Sequence, residues 1–165
     1  MDTKTIIVTL VTDRTQADVE RVQALAAKGF AAMTAAERAE WLTGMKGAYN
    51  ASDLNRVGTA LNYLAARLSS ICGKSIAWTA KADWAVADIP AASQAETYRQ
   101  QIQDIRDALA YPAGTPDAPQ LGRLTYIGAN DIERILVLCE DLIVNVAKSF
   151  RHTGAAECAA GGLLT

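Results

Sequence analysis

The fold is decided by the stretch Met45-Lys-Gly-Ala-Tyr-Asn-Ala-Ser-Asp-Leu-Asn-Arg-Val-Gly-Thr-Ala-Leu-Asn-Tyr-Leu-Ala-Ala-Arg-Leu68. It starts with a turn, adds Asn50 or Ser52 as a helix cap, and then carries a long apolar stripe. The residues of the stripe recur at steps of three and four: Leu54, Val57, Leu61, Leu64, Leu68 and Ile71. This spacing places all six on one side of a helix, the pattern of a bundle seam.

The same spacing recurs twice further along the chain, so three long helices are predicted, over residues 51-71, 93-110 and 126-151. A capping box, Ser93 to Glu96, is expected to open the second of them. Shorter helices are predicted to start at Asp13 or Thr15 and at Thr34. We therefore expect a mainly α protein, a bundle of about four to five helices that occupies residues 13-152.

The two ends of the chain are predicted to lie outside the bundle. Residues 4-11 are rich in Ile, Val and Thr and alternate weakly, which indicates a strand within an N-terminal arm, residues 1-12. No second strand is evident, so this segment either pairs with another chain or lies extended along the bundle. Its candidate partner contacts are Ile6, Val8 and Leu10. Residues 153-165 are rich in Ala and Gly and predict an irregular tail, flexible or ordered by a partner.

Composition excludes several classes of partner. The 165 residues include 16 basic and 18 acidic residues, mixed along the chain, for a net charge of -2. Nucleic-acid binding requires clustered Lys and Arg, so no nucleic-acid partner is expected. No apolar run approaches the roughly 20 residues of a membrane span, and no secretory signal is evident. The three cysteines are too widely spaced to predict a disulfide framework or a zinc site: Cys72, Cys139 and Cys158.

The sequence offers no constellation for catalysis. The single histidine, His152, lies near a helix end and has no evident triad partners. A metal site could be imagined from Glu133, Glu140 and Asp141, but the Glu-x-x-His pairs of bundle metal sites are missing, and these acids are expected to face water. No phosphate-binding glycine loop occurs. We expect no enzymatic activity, no metal and no cofactor.

Four further residues of the chain invite a binding interpretation. Asn55 and Asn62 are weak helix formers inside the first long helix, and are either exposed polar positions or polar pins between helices. Trp78 and Trp84 lie in the irregular segment between residues 75 and 92. They either clamp this loop onto the bundle or present a ligand-binding platform.

Several segments together resemble a helical module of tail-associated structural proteins of bacteriophages and prophages. The resemblance covers roughly residues 12-154 and rests on five stretches in order: Asp13-Arg-Thr-Gln-Ala-Asp-Val19, Met33-Thr-Ala-Ala-Glu-Arg-Ala-Glu-Trp-Leu42, residues 45-57 of the opening stretch, Trp84 to Pro90, and Leu124-Thr-Tyr-Ile-Gly-Ala-Asn-Asp-Ile-Glu-Arg-Ile135. It implies a non-enzymatic virion protein of a tail tip, baseplate or fibre, made in the host cytoplasm. The implied partners are other tail proteins and copies of the chain itself. No catalytic residue is implied.

Two other functions fit the sequence. One is a soluble module that recognises a host-surface glycan or a small ligand through the Trp78-Trp84 loop. The other is a cytosolic assembly chaperone, which the same composition allows.

Overall fold

The computed structural model describes the backbone of residues 3–161 and the side chains of residues 6–150. This part of the chain forms six α-helices, two short 3-10 turns and no β-strand. The helices are α1 (Thr3–Val8), α2 (Gln16–Lys28), α3 (Ala35–Thr43), α4 (Ala51–Cys72), α5 (Ala92–Asp107) and α6 (Tyr126–Gly161). The prediction of a mainly helical bundle is confirmed.

The core lies between α4, α5 and α6, the three helices that the apolar stripes predict. On α4, every stripe residue from Leu54 to Leu68 is buried and Ile71 is half-buried at the edge. These side chains pack against Ile102 and Ile105 of α5 and against one face of α6. Among the described side chains, Ile143 is the last buried one of α6.

The N-terminal strand was a wrong prediction, because residues 3 to 8 form the helix α1. An isolated strand leaves its backbone groups unpaired, whereas a helix pairs them internally. Ile6 and Ile7 of this helix, and Leu10 shortly after it, pack against the main core, while Val8 is 82% exposed. The segment is therefore packed on the bundle and not extended along it.

The bounds of the two later helices also differ from prediction. Residues 153 to 161 continue α6 and do not form an irregular tail, consistent with alanine, which dominates there, being the best helix former. The last four residues of the predicted tail, 162–165, lie outside the described residues. Helix α5 starts one residue early, because Gln94 Oε1 accepts a hydrogen bond from the Ala91 amide at 2.9 Å in place of the predicted Ser93 cap.

A second, smaller core joins α2 and α3 to the turn before α4. Leu25, Met33 and Met45 are buried there, with Val22 and Trp41 packed around them. Thr15 and Thr34 cap the two helices as predicted. This small core places Trp41 and the start of α4 on one surface of the protein.

Candidate functional site

A buried ionic network joins the segment before α2 to α4 and α6. Arg14 Nη2 lies 2.9 Å from Asp53 Oδ1 and 2.6 Å from Glu133 Oε1. Arg56 pairs with the same two acids, and its Nη2 lies 2.7 Å from Glu133 Oε1. Two guanidinium groups therefore face two carboxylates, and their formal charges cancel.

All four carboxylate oxygens of the network already accept hydrogen bonds. Glu133 Oε2 accepts from the Val11 amide at 2.6 Å and from Arg56 Nε at 2.9 Å. Asp53 Oδ2 accepts from the Asn50 amide at 2.9 Å, which closes the N-terminal cap of α4. With every oxygen occupied, the network is suited to fixing the fold and offers no free base.

Asn130 of α6 fixes the N-terminal segment at the same place. Its Oδ1 accepts from the Arg14 amide and its Nδ2 donates to the Arg14 carbonyl, both at 2.9 Å. One residue of the N-terminal segment is thus bound through its main chain to α6 and through its guanidinium to α4 and α6.

Tyr49 and Tyr98 lie beside the network. Their hydroxyl oxygens are 2.7 Å apart, and the guanidinium of Arg14 lies 5.6 Å from the ring centroid of Tyr49. Burial raises the pKa of Tyr49 and of Tyr98 well above the ordinary range. For Tyr98 the neighbouring Tyr49, Glu133 and Asp53 raise the pKa further. Both phenols therefore stay protonated and act as hydrogen-bonding groups.

The three acids considered for a metal site are not brought together. Glu133 is fully buried in the network, so the expectation that it faces water was wrong. Glu140 pairs with Arg67 at 2.9 Å, burial raises its pKa, and Asp141 is exposed. Among the described residues, no group of three or more His, Cys, Asp or Glu side chains is placed to hold a metal ion.

The two asparagines of α4 hold the loop after that helix, and neither pins two helices together. Asn55 donates to the Trp84 carbonyl at 2.9 Å and accepts from the Trp84 amide at 2.6 Å. Asn62, two helical turns further on, bonds the Ala80 carbonyl at 2.9 Å and the Ala80 amide at 2.7 Å in the same way. Each amide side chain thus imitates one rung of a β-ladder, and residues 80-84 lie extended along α4.

Gly58 lies between the two asparagines and allows this close approach. A Cβ atom at this position would lie 2.2 Å from the Lys81 carbonyl oxygen, closer than real Cβ contacts. Asn55, Gly58 and Asn62 therefore form one docking stripe on α4, at helical steps of three and four.

Both tryptophans of the loop are already engaged in packing. Trp78 Nε1 donates to Asp104 Oδ2 of α5 at 2.7 Å, and its ring packs against the core. Trp84 is only 7% exposed, and Lys81 Nζ lies 5.0 Å from the Trp84 ring centroid. Two open aromatic faces for a flat ligand are therefore not available here.

Two concave surfaces have different chemistry. The apolar groove, of about 300 Å³, lies between α3 and the start of α4, and its apolar lining includes Val22, Trp41, Leu42, Met45 and Val86. The polar pocket, of about 230 Å³, lies between the extended loop and α5. It is lined by Thr79, Lys81, Trp84, Ser93, Gln94, Thr97, Tyr98 and Gln101.

The main polar groups inside the fold occupy positions that the apolar stripes already indicate. Glu133 falls in step with Ala129 and Leu136, and Gln101 falls in step with Tyr98 and Ile105. A polar residue at a stripe position is a signal for a buried polar contact. Sequence reasoning missed the burial of Glu133, Gln101 and Arg14, and for Arg14, which lies outside any stripe, no such signal exists.

No protein-family model matches the chain, and no curated protein or solved structure does so. Within the described residues, no helix has both the length and the apolar character that crossing a membrane requires.

Proposed function

We propose that this protein is a non-enzymatic structural component of a phage tail, baseplate or fibre, and that it works through contacts with other virion proteins and with copies of itself. The observation that carries the proposal is the apolar groove and the exposed apolar side chains at its rim. Leu42 is 73% exposed and Val86 is 98% exposed, and Trp41 lines the groove with them. Apolar surface of this kind marks sites of protein interaction.

The segments that resemble tail-associated proteins support the proposal by their roles in the fold. Arg14, Asp53, Arg56 and Glu133 all belong to those segments, and together they form the buried network. Leu42, at the groove, also belongs to one of them. The segments that carry the resemblance therefore include both the residues of the buried network and a residue of the groove that we assign to partners.

The lining of the groove indicates what kind of partner surface would fit it. Its side chains are mainly apolar, and the polar groups around it belong to Thr43, Asn50 and Ser52. Asn50 Oδ1 already accepts from the Ser52 amide at 2.8 Å and from the Ser52 hydroxyl at 2.7 Å. We therefore expect an apolar side chain or the apolar face of a helix from a neighbouring virion subunit.

The test is incorporation into particles. Leu42→Asp and Val86→Asp place a charge in the proposed interface and should lower the amount of this protein per purified particle, measured by quantitative mass spectrometry. Ile89→Asp is the matched control, because Ile89 is 91% exposed and does not line the groove. Absence of the native protein from particles would contradict the proposal, and its presence only during assembly would favour the chaperone function.

A further inference from the structure

A large aromatic side chain of α6 lies in solvent although it continues the buried face of that helix. Phe150 falls in step with the buried residues Cys139 and Ile143, yet it is 64% exposed. The other phenylalanine of the chain, Phe30, has the guanidinium of Arg38 over its ring at 5.5 Å. No cation of the described residues lies over the ring of Phe150 in this way. Its ring is therefore free to contact another molecule.

The apolar groove has the size and the lining to hold one aromatic ring. Its volume of about 300 Å³ is at the lower end of the volumes of binding pockets. Leu42 and Val86 are exposed there, and Trp41 is half-buried, so an entering ring would contact two aliphatic side chains and one aromatic side chain. Aromatic side chains seated in apolar pockets are the usual anchors of protein interfaces.

Phe150 cannot enter the groove of its own chain, because the two surfaces lie at opposite ends of the protein. Helices α4 and α6 run in the same direction, since Arg56 pairs with Glu133 and, further along both helices, Arg67 pairs with Glu140. The groove lies at the start of α4, which is the Glu133 end. Phe150 lies about five helical turns beyond Glu133, or roughly 25 Å along α6. One side chain does not span that distance, so only a second molecule can bring Phe150 to the groove.

The charges near the two surfaces have opposite signs. Lys148 and Arg151 flank Phe150 in the sequence, and residues 142–156 include no acidic residue. On the other side, Asp88 lies in the loop that borders the groove, is exposed, and forms no ion pair with the described residues. Opposite charges favour the approach of these two ends to each other, and disfavour the approach of two identical ends.

We propose that Phe150 of one copy inserts into the apolar groove of a second copy, so that the chains assemble head to tail. Because the two contacting surfaces differ, each copy in such a pair keeps a free groove at one end or a free Phe150 at the other. Repetition of the contact gives a ring or a filament, as the repeated parts of a tail require. This inference rests on the proposed function, in which the groove is an interface, and it names the partner of that groove.

The first test is sedimentation velocity of the purified full-length protein over a range of concentrations. The native protein should self-associate, and Phe150→Ala should weaken the association by at least about tenfold, the effect of removing one aromatic anchor. Phe150→Asp and Leu42→Asp should each leave monomers. Ile127→Asp is the matched control, because Ile127 belongs to the same helix, is 57% exposed and does not line the groove. Circular dichroism verifies that each variant is folded.

A mixture of the two charged variants distinguishes head-to-tail assembly from a symmetric contact. Phe150→Asp keeps an intact groove, and Leu42→Asp keeps an intact Phe150, so the mixture contains one working contact. It should form a one-to-one dimer that does not grow further, although neither variant associates alone. A contact between two identical surfaces would instead leave one of the two variants able to associate with itself.

Three results would overturn the proposal: a native protein that stays monomeric, a folded Phe150→Asp that associates as the native protein does, or a mixture of the two variants that stays monomeric. The proposed function fails on a different measurement, the amount of protein in purified particles. If Leu42→Asp lowers that amount while the native protein is monomeric in solution, the groove binds another virion protein and not a second copy. If neither Leu42→Asp nor Val86→Asp lowers it, the groove is not an interface in the particle.

Discussion

At the scale of single residues, Glu133 is the side chain on which the network depends. It accepts from two guanidinium groups and one main-chain amide while fully buried. A buried ion pair contributes little net free energy, but removal of one partner leaves a charge uncompensated. The role of Glu133 is therefore to specify how the N-terminal segment, α4 and α6 meet.

Glu133→Gln should lower the free energy of unfolding by about 3–5 kcal/mol, because Asp53 alone would then face two arginines. Urea denaturation at neutral pH measures the change. Asp141→Asn is the matched control on the exposed side of α6 and should change stability by less than about 0.5 kcal/mol. Equal, small effects of the two substitutions would contradict a structural role for the network.

The buried phenols and Cys139 predict how stability depends on pH. Burial raises the pKa of Cys139 to about 11 and raises those of Tyr49 and Tyr98. An unfolded chain loses these protons near the ordinary pKa values, about 8.5 for Cys and about 10 for Tyr. Above that range the folded state binds more protons than the unfolded state, so the free energy of unfolding falls as pH rises.

Alkaline titration tests this sign. Tyrosinate absorbance from the buried phenols should appear together with the loss of helical circular dichroism, and not before it. Tyr98→Phe removes one of these groups and should make the fall in stability with pH less steep. Full ionisation of the tyrosines in a still helical protein would contradict the burial of this pair.

At the scale of elements, the docking of the loop on α4 depends on Gly58. Alanine is favoured over glycine inside a helix by about 1 kcal/mol, so Gly58→Ala would stabilise an isolated helix. In this protein the added Cβ would meet the Lys81 carbonyl, so we expect destabilisation and faster hydrogen exchange at the Ala80 and Trp84 amides. Gly122→Ala, with no atom within 4 Å of the added Cβ, is the control and should have neither effect.

The helix α1, found where a strand was predicted, gives a second test at this scale. In the helix α1, Ile7 packs on the core and Val8 faces solvent, whereas in a strand Val8 would share a face with Ile6 and Leu10. Ile7→Ala should therefore lower the free energy of unfolding by about 1–3 kcal/mol, and Val8→Ala should leave it nearly unchanged. If Val8→Ala destabilised the protein more than Ile7→Ala in denaturation experiments, the result would favour the strand over the helix.

The sequence predicted the helices well where the apolar period is long. The stripe from Leu54 to Leu68 and the glycine after it fix both the buried face and the end of α4. Residues 4-11 were predicted as a strand, but a segment of eight residues fits both the period of a strand and that of a helix. Only packing on α4 and α6 decides between the two. Asn55 and Asn62 stand out in the sequence as weak helix formers inside a helix, but their partners are main-chain groups of a loop, which no side-chain pattern reveals.

At the scale of the whole molecule, α6 is longer than α4, the helix with which it forms much of the core. It has 36 residues against 22 in α4, or roughly 54 Å against 33 Å at about 1.5 Å per residue. Its last buried side chain among the described residues is Ile143, and Phe150 is 64% exposed. Between Ile143 and Phe150, α6 therefore has no fully buried side chain, and the proposed virion role would place a neighbouring subunit along this part of the helix.

Truncation after Phe150 tests whether the end of α6 serves assembly and not the stability of the bundle. The bundle should keep its thermal unfolding midpoint within about 2–4 °C, because none of the described side chains after Ile143 is buried. Self-association, measured by sedimentation equilibrium, and incorporation into particles should both fall if the residues after Phe150 contact neighbours. Truncation after Leu142 is the matched comparison and should destabilise the bundle, since it removes Ile143 from the core. If the protein truncated after Phe150 stays folded and assembles as the native chain does, the end of α6 is not one of the proposed contacts. The apolar groove would then be their site.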